Sequence, residues 1–310
     1  MKVGLVIKST GSWYSVKDTQ TGEVISCAIR GRFRIEGIKS TNPVAVGDFV
    51  KYNFPANAET GIIHQILDRK NYIVRKSTNL SKQTHILAAN IDQAILMVTL
   101  KNPVTYSIFI DRFLITAEAY EIPAKLVFNK IDLYNDSEKQ TLNETIKAYE
   151  TAGYECIQTS VSQKINVHAI ESLLKNKITL IAGNSGVGKS SLINLIDPEL
   201  HLKSSEISNY HKSGKHTTTF AEMFDLSIGG SIIDTPGIKG FGLHDIEKEE
   251  LFHYFPEIFN ASKDCKFYNC THVHEPGCAV KKAVEENKIH PMRYNNYLNI
   301  LFDQETKHRL

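Results

Sequence analysis

No apolar run in this chain of 310 residues approaches the roughly 18 residues needed to cross a bilayer, so no membrane span is expected. The start, Met1-Lys2-Val3-Gly4-Leu5-Val6-Ile7, lacks the longer apolar core and small-residue cleavage site of a secretory signal. A strand is expected there instead, in a cytoplasmic protein. Low-complexity segments and internal repeats are also missing. With five cysteines in a large chain without a signal, a disulfide framework is not expected. Three of the five fall between Cys265 and Cys278, which points to metal ligation. Net charge is only +2, which by itself indicates no nucleic-acid partner.

The distribution of charge says more. Residues 1–72 hold 10 Lys and Arg against 6 Asp and Glu, whereas residues 73–245 and 246–310 each carry a net of −1. Arg30, Arg32 and Arg34 alternate, which would put them on one face of a strand that suits either phosphate contact or plain solvation. Apolar content of 42% and charged content of 23% fit a globular protein, and the length suits two or three domains.

Residues 1–72 read as short strands broken by turns: Val3–Ile7, Trp13–Val16, Val24–Ile29, Phe49–Phe54 and Gly61–Ile66. Thr21-Gly22, Asn42-Pro43 and Gly47-Asp48 supply turn chemistry. Five such strands without a helix predict a small β-barrel of the OB-fold type. From about residue 85, buried apolar runs alternate with helical stretches. The runs are Ala94–Val98, Lys125–Phe128, Glu155–Gln158, Ile178–Ala182 and Ser231–Ile233. The helices are Phe109–Tyr120, 136–152 and 166–175. This alternation predicts a parallel, doubly wound α/β sheet over residues 73–245. Residues 246–310 lose the strand pattern and end in helices, roughly Cys278–Asn287 and Met292–Asp303. They are expected to form a mainly α, metal-binding unit.

The run Gly183-Asn184-Ser185-Gly186-Val187-Gly188-Lys189-Ser190 fits G-x-x-x-x-G-K-[ST] behind an apolar strand. Its glycines let backbone N–H groups approach phosphate oxygens, and the helix starting near Lys189 adds its positive end. Lys189 is expected to reach the β- and γ-phosphates, Ser190 to ligate magnesium, and Ser191 to join the phosphate contacts. Base choice falls to Asn129-Lys130-Ile131-Asp132. The Asp132 carboxylate suits the paired N1–H and N2–H donors of guanine, which adenine lacks. Asn129 is expected to brace the loops, and the Lys130 stem to cover the base. A kinase or ATPase would share the phosphate loop but not this base-reading run.

Asp234-Thr235-Pro236-Gly237 follows another apolar run, so Asp234 is placed to hold magnesium through water and the Gly237 N–H to meet the γ-phosphate. Between these motifs, Gly214-Lys215-His216-Thr217-Thr218-Thr219 suits a switch that orders around the γ-phosphate. The motif order is unusual. Asn129–Asp132 precedes the phosphate loop by about fifty residues, with Thr159-Ser160-Val161 between them where a guanine-supporting loop would fall. This order predicts a circular permutation opened between D-x-x-G and N-K-x-D. Ile238 stands where Ras-like enzymes carry the water-orienting glutamine.

Cys265-x4-Cys270-x-His272-x5-Cys278 offers three thiolates and one imidazole, a donor set for tetrahedral zinc, with His274 as a rival fourth ligand.

The basic barrel, permuted GTPase motifs and Cys-Cys-His-Cys segment together resemble the bacterial ribosome small-subunit-dependent GTPase A family over essentially the whole chain. The resemblance implies a monomeric GTPase that matures the small (30S) subunit and contacts 16S rRNA through the barrel and the zinc unit. It also implies GTP hydrolysis stimulated by the subunit. It points to His216 as a catalytic group and to Thr218, among Thr217–Thr219, as the magnesium-contacting threonine. A nucleotide-gated RNA-binding module is the alternative class. The lack of an anchor or a strongly basic amphipathic helix argues against a membrane-associated GTPase.

Overall fold

The computed structural model describes residues 1–29, 43–56, 58–76, 84–202, 221–234 and 246–303. The Arg30–Arg34 face, the segment Gly214–Thr219 with His216 and Thr218, and Gly237 and Ile238 lie outside these residues.

Strands β1 (Lys2–Ser9), β2 (Trp13–Asp18), β3 (Val24–Ile29), β4 (Phe49–Asn53) and β5 (Gly61–Ile66) form the barrel. Their order is β1-β2-β3-β5-β4, and β4 pairs back with β1 to close the ring. Alternating residues Val6, Tyr14, Val16, Val50, Tyr52 and Ile63 point inward and make its core. The buried Tyr52 hydroxyl donates to Asp18, whose carboxylate also accepts from the Gln20 and Thr21 amides at 2.8 and 2.9 Å. These donors, Tyr52 first, hold Asp18 down at about 2, so the turn is capped by a carboxylate.

A hairpin follows, β6 (Tyr72–Lys76) with β7 (Thr84–Ala89). It was not foreseen, because the intervening residues 77–83 contain neither glycine nor proline. The barrel exit packs on it. Gly47, at φ +92°, lies so close to β7 that a Cβ would sit 2.0 Å from the Ala89 carbonyl oxygen. Arg69 grips the buried Asp48 at 2.6 Å beside this contact.

The α/β unit contains β8 (Gln93–Val98), α1 (Ser107–Ala119), β9 (Ala124–Phe128), α2 (Asp136–Thr151), β10 (Glu155–Gln158) and α3 (Val167–Leu174). It continues through β11 (Ile178–Gly183), α4 (Lys189–Ile196), β12 (Glu222–Asp225) and β13 (Ser231–Asp234). Sheet order is β10-β9-β8-β11-β13-β12, parallel except for β12. Helices cover both faces, and two apolar clusters flank the sheet. Asn135 and Glu138 form a capping box that starts α2. The parallel, doubly wound sheet is as expected; the antiparallel β12 at its edge is an addition. In sequence it is two apolar residues between two acids, a weak strand signal. In the fold those acids meet barrel lysines, Lys8 to Glu222 at 2.8 Å and Lys17 to Asp225 at 2.6 Å, where β12 pairs with β1. One continuous sheet thus runs from the α/β unit into the barrel.

The C-terminal region adds α5 (Pro256–Ser262), α6 (Ala279–Glu285) and α7 (Pro291–Asp303), with a 3-10 segment at Lys248–Tyr254. The helical tail was expected; the helical turns before the first cysteine were not. Its core of Leu251, Phe255, Ile258, Val280, Tyr297 and Ile300 also takes Ile115 from α1. Beside it Arg293, 1% exposed, pairs with Asp111 of α1 and makes a two-pronged pair with Glu257 at 2.7 and 3.1 Å. Asn296 donates to the second Asp111 oxygen at 2.6 Å, and the rings of Phe255, Tyr149 and Tyr154 surround the guanidinium. Among the described residues no helix is long and apolar enough to cross a membrane.

Removing Arg293 would strand two buried carboxylates. Arg293→Ala is expected to cost about 3–5 kcal/mol of stability, measured by urea unfolding. A loss within the ordinary surface range of about 0.5 kcal/mol would show that the node contributes little.

Candidate functional site

Three loops from separate stretches of chain converge at the carboxyl ends of the parallel strands. The first is the phosphate loop after β11. Ser185 and Gly186 are exposed, whereas Val187, Lys189 and Ser190 are buried. The Lys189 ammonium donates to the carbonyls of Gly183 and Asn184 at 2.7 and 3.0 Å, which holds its charge at the loop. Ser190 and Ser191 follow Lys189 in the first turn of α4.

The second loop follows β9. Asn129, 1% exposed, donates from Nδ2 to the Val187 carbonyl at 2.8 Å and accepts at Oδ1 from the Val161 amide at 3.2 Å. Its side chain therefore joins the base loop to the phosphate loop and to the loop after β10. Gly188, at φ +107°, permits this approach: a Cβ there would lie 2.4 Å from Asn129 Nδ2. Lys130 takes a left-handed backbone at φ +63°, and its ammonium donates to the Asn102 carbonyl. Ile131 donates its amide to the Thr159 carbonyl at 3.3 Å.

The third loop, Thr159–Ser162, supports Asp132. Buried Ser160 donates to one Asp132 oxygen at 2.5 Å, and Ser162 to the other at 3.1 Å. These hydroxyls, Ser160 foremost, keep the Asp132 pKa below the usual carboxylate range. Asp132 is exposed and ionised, with lone pairs on both oxygens left for two parallel N–H donors. Ser162 was not foreseen; it lies two residues beyond Ser160 with no pattern to single it out.

A further loop, Leu100–Tyr106, lies against the first two. Its Asn102 carbonyl takes the Lys130 ammonium, and its Val104 carbonyl accepts from Asn184 Nδ2 at 3.4 Å. The Asn102-Pro103 pair marks a turn in sequence, but nothing there ties it to the site. Asp234 ends β13 in register with Ile181, two residues before Gly183. That register sets its backbone beside the start of the phosphate loop.

The expected metal ligands also come together. The ligand atoms of Cys265, Cys270, His272 and Cys278 lie within 4.8 Å of one another. His272 Nδ1 is 3.6 Å from both the Cys265 and Cys278 sulfurs, which are 4.0 Å apart. Tetrahedral zinc with bonds of about 2.0–2.3 Å separates its ligands by about 3.5–3.8 Å, so this donor set fits such an ion. Exposed His274 falls outside the cluster, which decides between the two histidines. Glu275, unforeseen, shapes the turn by accepting from the Thr271 amide and hydroxyl and from the Val273 and His274 amides. Burial opposes its ionisation, but these donors prevail and hold it at about 2. Tyr294 and Tyr297 donate to the His272 and Thr271 carbonyls at 2.6 and 2.8 Å, anchoring the turn to α7.

Comparison with known proteins agrees with this arrangement. A family model described as the RsgA N-terminal domain matches residues 3–63, and one described as RsgA GTPase matches residues 66–244. The chain is 58% identical to small ribosomal subunit biogenesis GTPase RsgA 2 of Bacteroides thetaiotaomicron, over 97% of each chain. It is 54% identical to small ribosomal subunit biogenesis GTPase RsgA of Christiangramia forsetii, over 99% of this chain and 98% of that one. Among solved structures it resembles YjeQ from Thermotoga maritima, with a TM-score of 0.80 and 36% identity over 99% of both chains. It also resembles YloQ, described as a circularly permuted GTPase, with a TM-score of 0.75 and 32% identity over 100% of this chain and 97% of that one. The permuted order of the base and phosphate loops, the barrel ahead of them and these full-length matches lead to one assignment: the chain belongs to the RsgA GTPase family.

Proposed function

We propose that this chain binds GTP across the three loops and hydrolyses it to GDP and phosphate as a maturation factor of the small ribosomal subunit. The observation that carries the nucleotide reading is Asn129. One side chain bonded to the Val187 carbonyl and the Val161 amide sets a phosphate-binding loop and a guanine-binding loop at a fixed separation. In this reading residues 1–72 form an RNA-binding barrel, 73–245 the GTPase, and 246–310 a zinc-binding helical unit. The barrel and the zinc unit contact 16S rRNA, and the protein works as a cytoplasmic monomer.

Gly183–Ser191 would surround the phosphates, with Lys189 on the β- and γ-phosphates. Asn129, Lys130, Ile131, Asp132, Ser160 and Val161 would hold the guanine. Magnesium held by Ser190, Thr218 and Asp234 would neutralise charge on the β- and γ-phosphate oxygens. The Gly237 amide would meet the γ-phosphate. Ile238 cannot hydrogen-bond the attacking water, so that task passes to His216 or to a group of the ribosome. Zinc at Cys265, Cys270, His272 and Cys278 would staple a small unit whose core is limited.

Turnover is expected to be slow for the isolated protein and strongly stimulated by small subunits, but not by large ones. His216→Ala should lose the stimulation while still binding nucleotide. An isolated rate equal to the subunit-bound rate would refute the assignment. Asp132→Asn replaces an acceptor by an amide donor, so guanine affinity should fall at least about a hundredfold. Xanthine, with a carbonyl at position 2, should bind better than guanine in that variant; retained guanine preference would count against Asp132. Elemental analysis should find one zinc ion per chain, and chelation should lower the melting temperature. Full stability after zinc removal would argue against a structural role.

A further inference from the structure

Tyr134 stands two residues beyond Asp132, outside the base-reading motif, yet its side chain turns back into the site. It is 4% exposed. Its hydroxyl donates to the Asn129 carbonyl at 2.9 Å and accepts from the Leu100 amide at 2.8 Å. Burial raises the Tyr134 pKa, so the hydroxyl keeps its proton and its donor role toward the carbonyl is set. The segment 129–134 is thereby closed on itself across five residues.

The other partner matters as much. Leu100 begins the loop that takes the Lys130 ammonium at Asn102 and meets Asn184 of the phosphate loop at Val104. That loop is itself braced. The Thr99 hydroxyl donates to the Pro103 carbonyl at 2.6 Å, and the Thr105 amide to the Thr99 carbonyl at 2.9 Å. Lys101 reaches over the Tyr134 ring to Glu138 at 2.6 Å, in the capping box of α2. A single hydroxyl thus links the peptide of Asn129 to a stiff loop bordering both the base loop and the phosphate loop.

We propose that Tyr134 is a positioning residue for guanine-nucleotide binding, its hydroxyl holding the Asn129–Asp132 segment at the separation from the phosphate loop that a guanosine nucleotide requires. The inference rests on reading the three loops as a guanine-nucleotide site. Its physical basis is the steep dependence of hydrogen bonds on distance and angle. Asp132 must meet two donors at once, and small shifts of its segment weaken both. Without the hydroxyl, the Leu100 amide and the Asn129 carbonyl are left without this partner in a buried place, and the segment relaxes to satisfy them.

The test uses Tyr134→Phe in the full chain, titrated calorimetrically with GDP, IDP and ADP. IDP lacks the 2-amino group, so the GDP to IDP ratio reports the second donor to Asp132. GDP affinity is expected to fall about tenfold and the GDP to IDP ratio to shrink several-fold. KM for GTP should rise by a similar factor while kcat changes little. Tyr134→Met, which fills much of the space without a hydroxyl, should shift the ratio the same way. A residue that only supports the fold would lower the melting temperature and leave both ratio and KM unmoved; that result in either folded variant overturns the proposal. Wild-type protein that fails to prefer GDP over ADP would refute the guanine-site reading itself. Normal wild-type preference with unaltered ratios in the variants refutes the role of Tyr134 alone.

Discussion

Asn129 is buried where three loops meet, and the separation of those loops is set by what its amide can reach. Nδ2 holds the Val187 carbonyl and Oδ1 holds the Val161 amide. Both ends of an asparagine amide are therefore used, one as donor and one as acceptor, which neither aspartate nor leucine could do. The contact also dictates a residue elsewhere: Gly188 has no room for a Cβ because Asn129 Nδ2 occupies its place. The parallel pairing of β8 with β9 and β11 brings the loops close enough for that side chain to span them. Chain order is secondary to this geometry. A sheet opened at a different connection keeps its loop ends in place, so a permuted sequence can build the same site.

Two ionic arrangements bind the outer regions to this centre, and they differ in kind. Lys8–Glu222 and Lys17–Asp225 lie at the barrel seam, are partly exposed and are worth little individually. What joins the barrel there is main-chain pairing of β1 with β12, together with the close packing of Gly47 on β7. Arg293 is buried, shares its charge with Asp111 and Glu257, and sits among three aromatic rings. Such a node specifies which helices meet, because an unpaired member would be costly. It makes α1 a shared element. The loop ahead of α1 borders the nucleotide-binding loops, and Ile115 and Asp111 on the helix belong to the C-terminal packing.

Legibility in the sequence followed the range of the interactions. Val24–Ile29, Gly61–Ile66 and Glu155–Gln158 could be bounded to the residue, because Gly22, Gly61 and Gly153 mark where each strand starts. β12 could not, since Glu222 and Asp225 look like turn residues until barrel lysines meet them. In the site, the Asn129–Asp132 and Gly183–Ser190 runs and the set Cys265, Cys270, His272 and Cys278 stand out because each has set residue types at set spacings, and the fold brings the members together. Ser162, Glu275, Tyr134 and Arg293 do not stand out. Each acts through a bond to a backbone or side chain that chain order does not reveal. His272 is the expected fourth ligand and His274 its rival; the fold puts His272 among the sulfurs and leaves His274 outside the cluster.

By itself, the sequence determined the local patterns: a glycine-rich turn ending in Lys189-Ser190, the Asn129-Lys130-Ile131-Asp132 run, a Cys-Cys-His-Cys donor set, and the permuted order of the two runs. Those are properties of short segments, set by residue type, spacing and the preceding strand. Tertiary structure decided which of those groups share a place and how they are held. It set Ser160 and Ser162 on Asp132, Asn129 on two other loops, and α1 between the nucleotide-binding loops and the C-terminal core. The reason is physical. Hydrogen bonds and ion pairs of that kind join residues tens to hundreds of positions apart, and their partners exist only once the sheet has formed.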